Sequence, residues 1–68
     1  MHEKPGQRID LAEIVARVDT LPEPYRTPVK LHYVKKRTCQ QIARELNLPK
    51  GTVQSHISRG IQKLRTPT

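Results

Sequence analysis

PKGTVQSHISRGIQKLR, residues 49–65, decides how the rest of this chain is read. Laid on one α-helix at about 100° per residue, Val53, Ile57, Ile61 and Leu64 fall within a sector of about 80°, with Gly60 at its edge. Thr52, Ser55, Arg59 and Gln62 fall opposite. Gly51 and Ser58 lie beside them, and Gln54 and His56 take the two flanks. A single narrow apolar stripe predicts a helix held from behind, running to about Arg65. The free face carries Ser, Thr, Gln and Arg, the side chains that bond base edges and phosphates. The same face also suits an ordinary amphipathic surface helix, and the residues before it break the tie.

Immediately upstream, Thr38 and Gln41 have the spacing of a capping box, in which the hydroxyl takes a helix N–H and the amide reaches back. They predict a short helix over about 39–46 that buries Ile42, Ala43 and Leu46. The small side chain of Ala43 lets another helix cross closely. Asn47 follows, a residue that tolerates the left-handed conformation of a tight turn. Leu48 is placed to plug the corner, and Pro49 to open the next helix at its first position, where a missing N–H costs little. A short helix, a tight turn and a polar-faced helix spell helix-turn-helix over residues 38–65.

Further out, Lys35, Lys36 and Arg37 form a basic connector. Before it, Tyr25, Val29, His32 and Tyr33 recur at helical spacing, with Leu31 and Val34 on a neighbouring strip. They predict a second helix over about 22–35. Pro28 is its weak point, because an interior proline removes a bond and bends the helix; the alternative is a start only near Thr27. His32 has no partner at metal-ligand spacing and reads as a packed or half-exposed helix residue. Ile9, Leu11, Ile14, Val15 and Val18 predict a first helix over about 8–19, ending before Leu21-Pro22, with Asp10 and Glu13 suited to its start. Residues 1–7 carry Pro5-Gly6 without periodicity and read as a flexible lead-in, and Thr66-Pro67-Thr68 should stop the last helix.

A chain of 68 residues makes one small domain. With two Tyr and no Trp or Phe, its core must come from Leu, Ile, Val and Ala, which suits an all-α four-helix domain. One cysteine, Cys39, excludes an internal disulfide and a Cys-based zinc site, and fits a reducing cytoplasm. There is no membrane-length apolar run or visible signal peptide, so a cytoplasmic location without membrane attachment is expected. No phosphate loop, nucleophile–base pair or carboxylate pair is present. No catalytic residue, metal site or cofactor is expected, and the chain does not read as an enzyme.

Charge is segregated. Residues 1–25 hold three Lys or Arg against five Asp or Glu, while residues 26–68 hold ten against Glu45 alone, for a net charge of +7. A basic half joined to a mildly acidic one is the footprint of a nucleic-acid binder.

With these residues in place, residues 11–65 resemble region 4 of bacterial sigma factors, most closely the extracytoplasmic-function (ECF) group. The resemblance is carried by Leu21-Pro22-Glu23-x-Tyr25-Arg26, Leu31-x-Tyr33-Val34, Gln41-Ile42-Ala43-x-x-Leu46, Pro49-x-Gly51-Thr52-Val53-x-Ser55-x-x-x-Arg59-Gly60 and Leu64-Arg65. It implies that the last helix reads the −35 promoter element of double-stranded DNA in the major groove, while the preceding helix and turn hold phosphates. The contact set would be Arg37, Thr38, Lys50, Gly51, Thr52, Gln54, Ser55, His56, Ser58, Arg59 and Gln62.

The resemblance also implies docking on the β-subunit flap of RNA polymerase core, with an anti-sigma factor as a further candidate partner. Leu11, Ile14, Val15, Val18, Leu31 and Val34 would supply that surface, together with Leu21. The alternative is that they all seal the bundle. Lys36-Arg37 and Asn47 stand where the family often has Gly followed by an apolar residue and Gly, respectively. Nothing matches the region that melts and reads the −10 element, so either an excised domain or a stand-alone relative is expected. Thr52-Val53-x-x-His56 with Lys63-Leu64 also resembles the LuxR-type output domain. A stand-alone regulator of that type, or a protein-interaction module binding polymerase or an anti-sigma factor, are the alternative readings.

Overall fold

The computed structural model describes residues 10–65, which form four helices and no strand. Helix α1 (Leu11–Arg17) closes through a 3-10 turn at Val18–Thr20. Helix α2 (Arg26–Val29) continues without a break into a π-helical stretch, Lys30–Val34. Helix α3 (Cys39–Leu46) and helix α4 (Lys50–Arg65) complete the chain. The expected lead-in at 1–7, the proposed helix start at residue 8 and the C-terminal stop at 66–68 lie outside the described residues.

The second helix begins at Arg26 rather than 22, close to the later of the two expected starts. Leu21 is extended (φ −76°, ψ 141°), as a residue before proline prefers to be. A turn then forms, with the Tyr25 and Arg26 N–H groups both donating to the Pro22 carbonyl at 3.1 Å. Because α2 starts at Arg26, Pro28 falls in its first turn, where the missing N–H breaks nothing. The π-helical stretch was not expected. The Lys35 N–H reaches back to the Lys30 carbonyl at 3.1 Å, one residue further than an α-helical bond.

In α3 the local signals act as read. Gln41 N–H donates to the Thr38 hydroxyl at 3.1 Å, and Thr38 N–H donates to the Gln41 side-chain oxygen at 2.9 Å. Asn47 is left-handed (φ 58°, ψ 48°), and the Leu48 N–H returns to the Ala43 carbonyl at 2.9 Å, a Schellman closure. Pro49 sits one residue before the helix rather than within it. Its carbonyl accepts the first α4 bond from Val53 N–H at 3.1 Å.

Helix α4 is the spine, packed against both α2 and α3. One core cluster joins Ile14, Val18, Leu21, Val29 and Leu64. The other joins Ile42, Val53 and Ile57, with Leu31, Ala43, Leu46 and Leu48 packed around them. Tyr33 and Ile61 touch both, so the two clusters are continuous. Val29, Ile42 and Val53 have no exposed surface, and each such side chain is worth about 1.5–3 kcal/mol of burial. Gly60 of α4 faces Val29 of α2. A Cβ on this glycine would lie 2.6 Å from Val29 Cγ2, closer than real Cβ contacts come, so the absence of a side chain lets Val29 pack against the helix.

Candidate nucleic-acid interface

The apolar stripe of α4 is buried through Val53, Ile57, Gly60 and Leu64, which turns the opposite face outward. Lys50, Gly51, Gln54, Ser55, Ser58, Arg59 and Gln62 are exposed, and Thr52 is half-buried. Gly51 has nothing within 4 Å of where a Cβ would stand, so the amino-terminal turn is open to close approach. From Gly51 to Gln62 this face extends about 16 Å, room for about five base pairs of groove. Lys50 and Arg59 have no ion-pair partner among the described residues. Both are free to meet an anion or a base edge.

His56 is placed differently from its neighbours. It is half-buried on the flank facing α2, its ring edge-on to Tyr25 (5.9 Å between centroids, 86°). Its Nδ1 is enclosed and has no hydrogen-bond partner among the described residues. Lys63 Nζ lies 5.3 Å from the centroid of the Tyr25 ring, within cation–π range. Arg59 lines the shallow cleft between this flank and Arg17, Leu21 and Pro22. Tyr25 thus sets the α2 border of the exposed face, a role that its helical spacing in the sequence did not reveal.

Arg37 and Thr38 stand at the amino end of α3, next to the exposed Lys35 and Lys36. The Thr38 hydroxyl is engaged in the cap. Arg37 Nη1 lies 3.4 Å from Glu45 Oε1, and both side chains are about half exposed, a pair that solvent and salt weaken. Lys36 adopts φ 60°, the left-handed conformation that glycine would take freely, so the departure from the family's glycine leaves the turn's geometry in place.

Three of the acidic side chains are held in exposed ion pairs. Arg17 pairs with Glu13 and Lys30 with Asp19, each at 3.2 Å. Glu23 caps α2 by accepting from Thr27 N–H (3.2 Å) and the Thr27 hydroxyl (2.7 Å), with Arg26 at 3.3 Å. The Thr27 hydroxyl does most to hold the Glu23 carboxyl below its ordinary value; burial opposes it, and the Thr27 N–H and Arg26 together leave the net shift downward.

The residues expected to dock a partner divide. Ile14 and Val18 are core at 3% and 1% exposure, as is Leu21. Leu31 and Val34 are half-buried against the core. Leu11 and Val15, one turn apart on α1, are 45% and 44% exposed. Among the described residues no cluster of His, Cys, Asp or Glu is placed to hold a metal, and no helix is long and apolar enough to cross a membrane.

A capped short helix, a left-handed turn and a long helix with an exposed polar and basic face define a helix-turn-helix domain. The family model "Sigma-70, region 4" matches residues 11–64, and the chain belongs to that family. Its similarity is to the ECF type. It is 38% identical over 52 residues to "ECF RNA polymerase sigma factor SigW" of Bacillus subtilis (strain 168), an alignment covering 76% of this chain and 28% of that protein. The chain thus spans little more than a quarter of that relative. No solved structure matches it. Region 4 of sigma factors is a DNA-binding, non-catalytic family.

Proposed function

We propose that this domain reads the −35 element of a promoter by laying α4 in the major groove. Ser55 and Arg59 are the central base-reading side chains. Lys50, Gly51, Thr52, Gln54, Ser58 and Gln62 complete the contact surface. His56 acts from its edge, its ring steadied by Tyr25. Arg37 and Thr38 bring the amino end of α3 to the phosphate backbone, where Lys36 adds charge. The observation that carries this reading is the outward face of α4, where Arg59 and Lys50 stand exposed, with no ion-pair partner among the described residues, above a buried apolar stripe.

The second surface serves RNA polymerase. Leu11 and Val15 form an exposed apolar pair beside the ion-paired Glu13, poorly suited to DNA and open to an amphipathic helix of the β flap or of an anti-sigma factor. Ile14 and Val18 support that pair from within rather than touching a partner.

The direct test is selection of duplexes from a random pool by the isolated domain, followed by titration at several salt concentrations. The expected result is one enriched motif, with log affinity falling linearly against log salt by about 0.9 per phosphate contact. Salt-dependent binding without any enriched motif would leave a non-specific basic surface and reject promoter reading. No salt-dependent binding at all would leave a protein-interaction module.

A further inference from the structure

Arg37 is tied at three points, two of them through its backbone. Its N–H donates to the Leu31 carbonyl at 3.0 Å. Its own carbonyl lies 2.9 Å from His32 Nδ1. Its guanidinium rests against Glu45. A carbonyl oxygen only accepts, so this contact requires the proton on Nδ1 of His32. The imidazole is in turn set edge-on to Tyr33, with centroids 4.8 Å apart at 85°, and Tyr33, like Ile61, touches both core clusters. The connector is therefore tied to the core through one ring.

The need for a tie is local. Lys36 is left-handed, a conformation that costs an L-residue about 1–2 kcal/mol and that a lysine side chain does nothing to favour. Released, residues 35–37 would relax to more populated conformations. Their charges would remain, but not their placement beside the amino end of α3.

We propose that His32 is a positioning residue for DNA binding: its Nδ1–H holds the Arg37 carbonyl, and so fixes Arg37 where its guanidinium meets the phosphate backbone. His32 itself touches no DNA. The exposed Arg37–Glu45 pair is the resting place of the guanidinium, which a phosphate displaces while the backbone anchor stays. This inference rests on the duplex-binding reading above.

The test compares wild type with His32→Ala, His32→Asn, His32→Gln and Arg37→Ala on the selected duplex, reading affinity, salt slope and melting temperature. Asn carries its amide nitrogen on Cγ, where histidine carries Nδ1; Gln places it one bond further out. His32→Ala and His32→Gln should weaken binding about three- to tenfold, the worth of one positioned hydrogen bond. Both should also flatten the slope by about 0.9, one phosphate contact. His32→Asn should stay within about twofold of wild type. In an Arg37→Ala background, replacing His32 should have little further effect on the slope.

Nitrogen-15 spectra of the wild-type imidazole at alkaline pH should show the Nδ1–H tautomer. That measurement and the Asn/Gln pair still decide the matter if His32→Ala fails to fold. A ring protonated on Nε2 overturns the inference. So does a wild-type slope in both His32→Ala and His32→Gln while Arg37→Ala loses slope, a result that leaves duplex binding intact. A wild-type domain without salt-dependent binding rejects the duplex reading, and the role of His32 with it.

Discussion

Two helices of this domain stop in the same way for different reasons. The helix that begins as α2 ends at Val34 and is followed by a left-handed residue at Lys36, with φ of 60°. Helix α3 ends at Leu46 and is followed by one at Asn47, with φ of 58°. Asn47 belongs there by its own chemistry, since its short polar side chain tolerates the left-handed region and a Schellman closure follows at Leu48. Lys36 has no such preference. It is held by bonds made through its neighbours, Arg37 N–H to Leu31 and His32 to the Arg37 carbonyl. One turn is written in its own residues and the other is imposed by its surroundings. The same division runs through the molecule, with Thr38 to Arg65 built on local signals and Asp10 to Arg37 on packing.

The largest effect should come where the two regions meet. In Gly60→Ala the added methyl would press on the fully buried Val29, which cannot swing away. Overpacking costs about 1–3 kcal/mol and the gain in helix propensity returns up to about 1. The expected net loss of about 1–2 kcal/mol lowers the melting temperature by about 5–15 °C. Gly51→Ala, with open space around it, should leave the melting temperature unchanged or slightly raised. Equal behaviour of the two glycines in thermal denaturation would mean that the α2–α4 contact is not tight.

The two turns themselves give the next effect. Lys36→Gly should stabilise by about 0.5–1 kcal/mol, because it removes an imposed conformation. Asn47→Gly should change stability by only a few tenths of a kcal/mol. Chemical denaturation of the pair measures both. A larger gain at Asn47 than at Lys36 would reverse the comparison.

The smallest effect belongs to the cap of α2. The Glu23 carboxyl is held below its ordinary range, so its contribution is complete above the unfolded value of about 4.3 and fades as pH falls through the lower folded value. The melting-temperature gap between wild type and Glu23→Ala should therefore be widest near neutrality and narrow below about pH 4.3. A gap that stays constant down to pH 3 would assign Glu23 no charge-dependent role.

The same contrast explains what could be read before the structure. The boundaries of α3, its capping box, the turn at Asn47 and the two faces of α4 were legible, because each rests on residues within one turn of one another. The late start of α2 depended on whether Pro28 fell in a first turn or an interior, which the turn at Pro22 decides. Glu23 as a cap and the His32–Arg37 bond join residues whose spacing carries no signal of its own. Of the candidate interface, the outward face of α4 was readable from periodicity alone. The bracing of His56 by Tyr25, the pairing of Arg37 with Glu45 and the division of the α1 side chains into core and surface required the packed helices.

The central claim is that the outward face of α4 reads sequence, and Arg59 tests it most directly. Wild type and Arg59→Ala should be titrated against the selected duplex and against a scrambled one at the same salt. A lost bidentate base contact removes about 1–3 kcal/mol of discrimination, so the variant should lose about 5- to 150-fold on the selected site and far less on the scrambled one. An equal loss on both duplexes would make Arg59 a phosphate clamp and contradict the account.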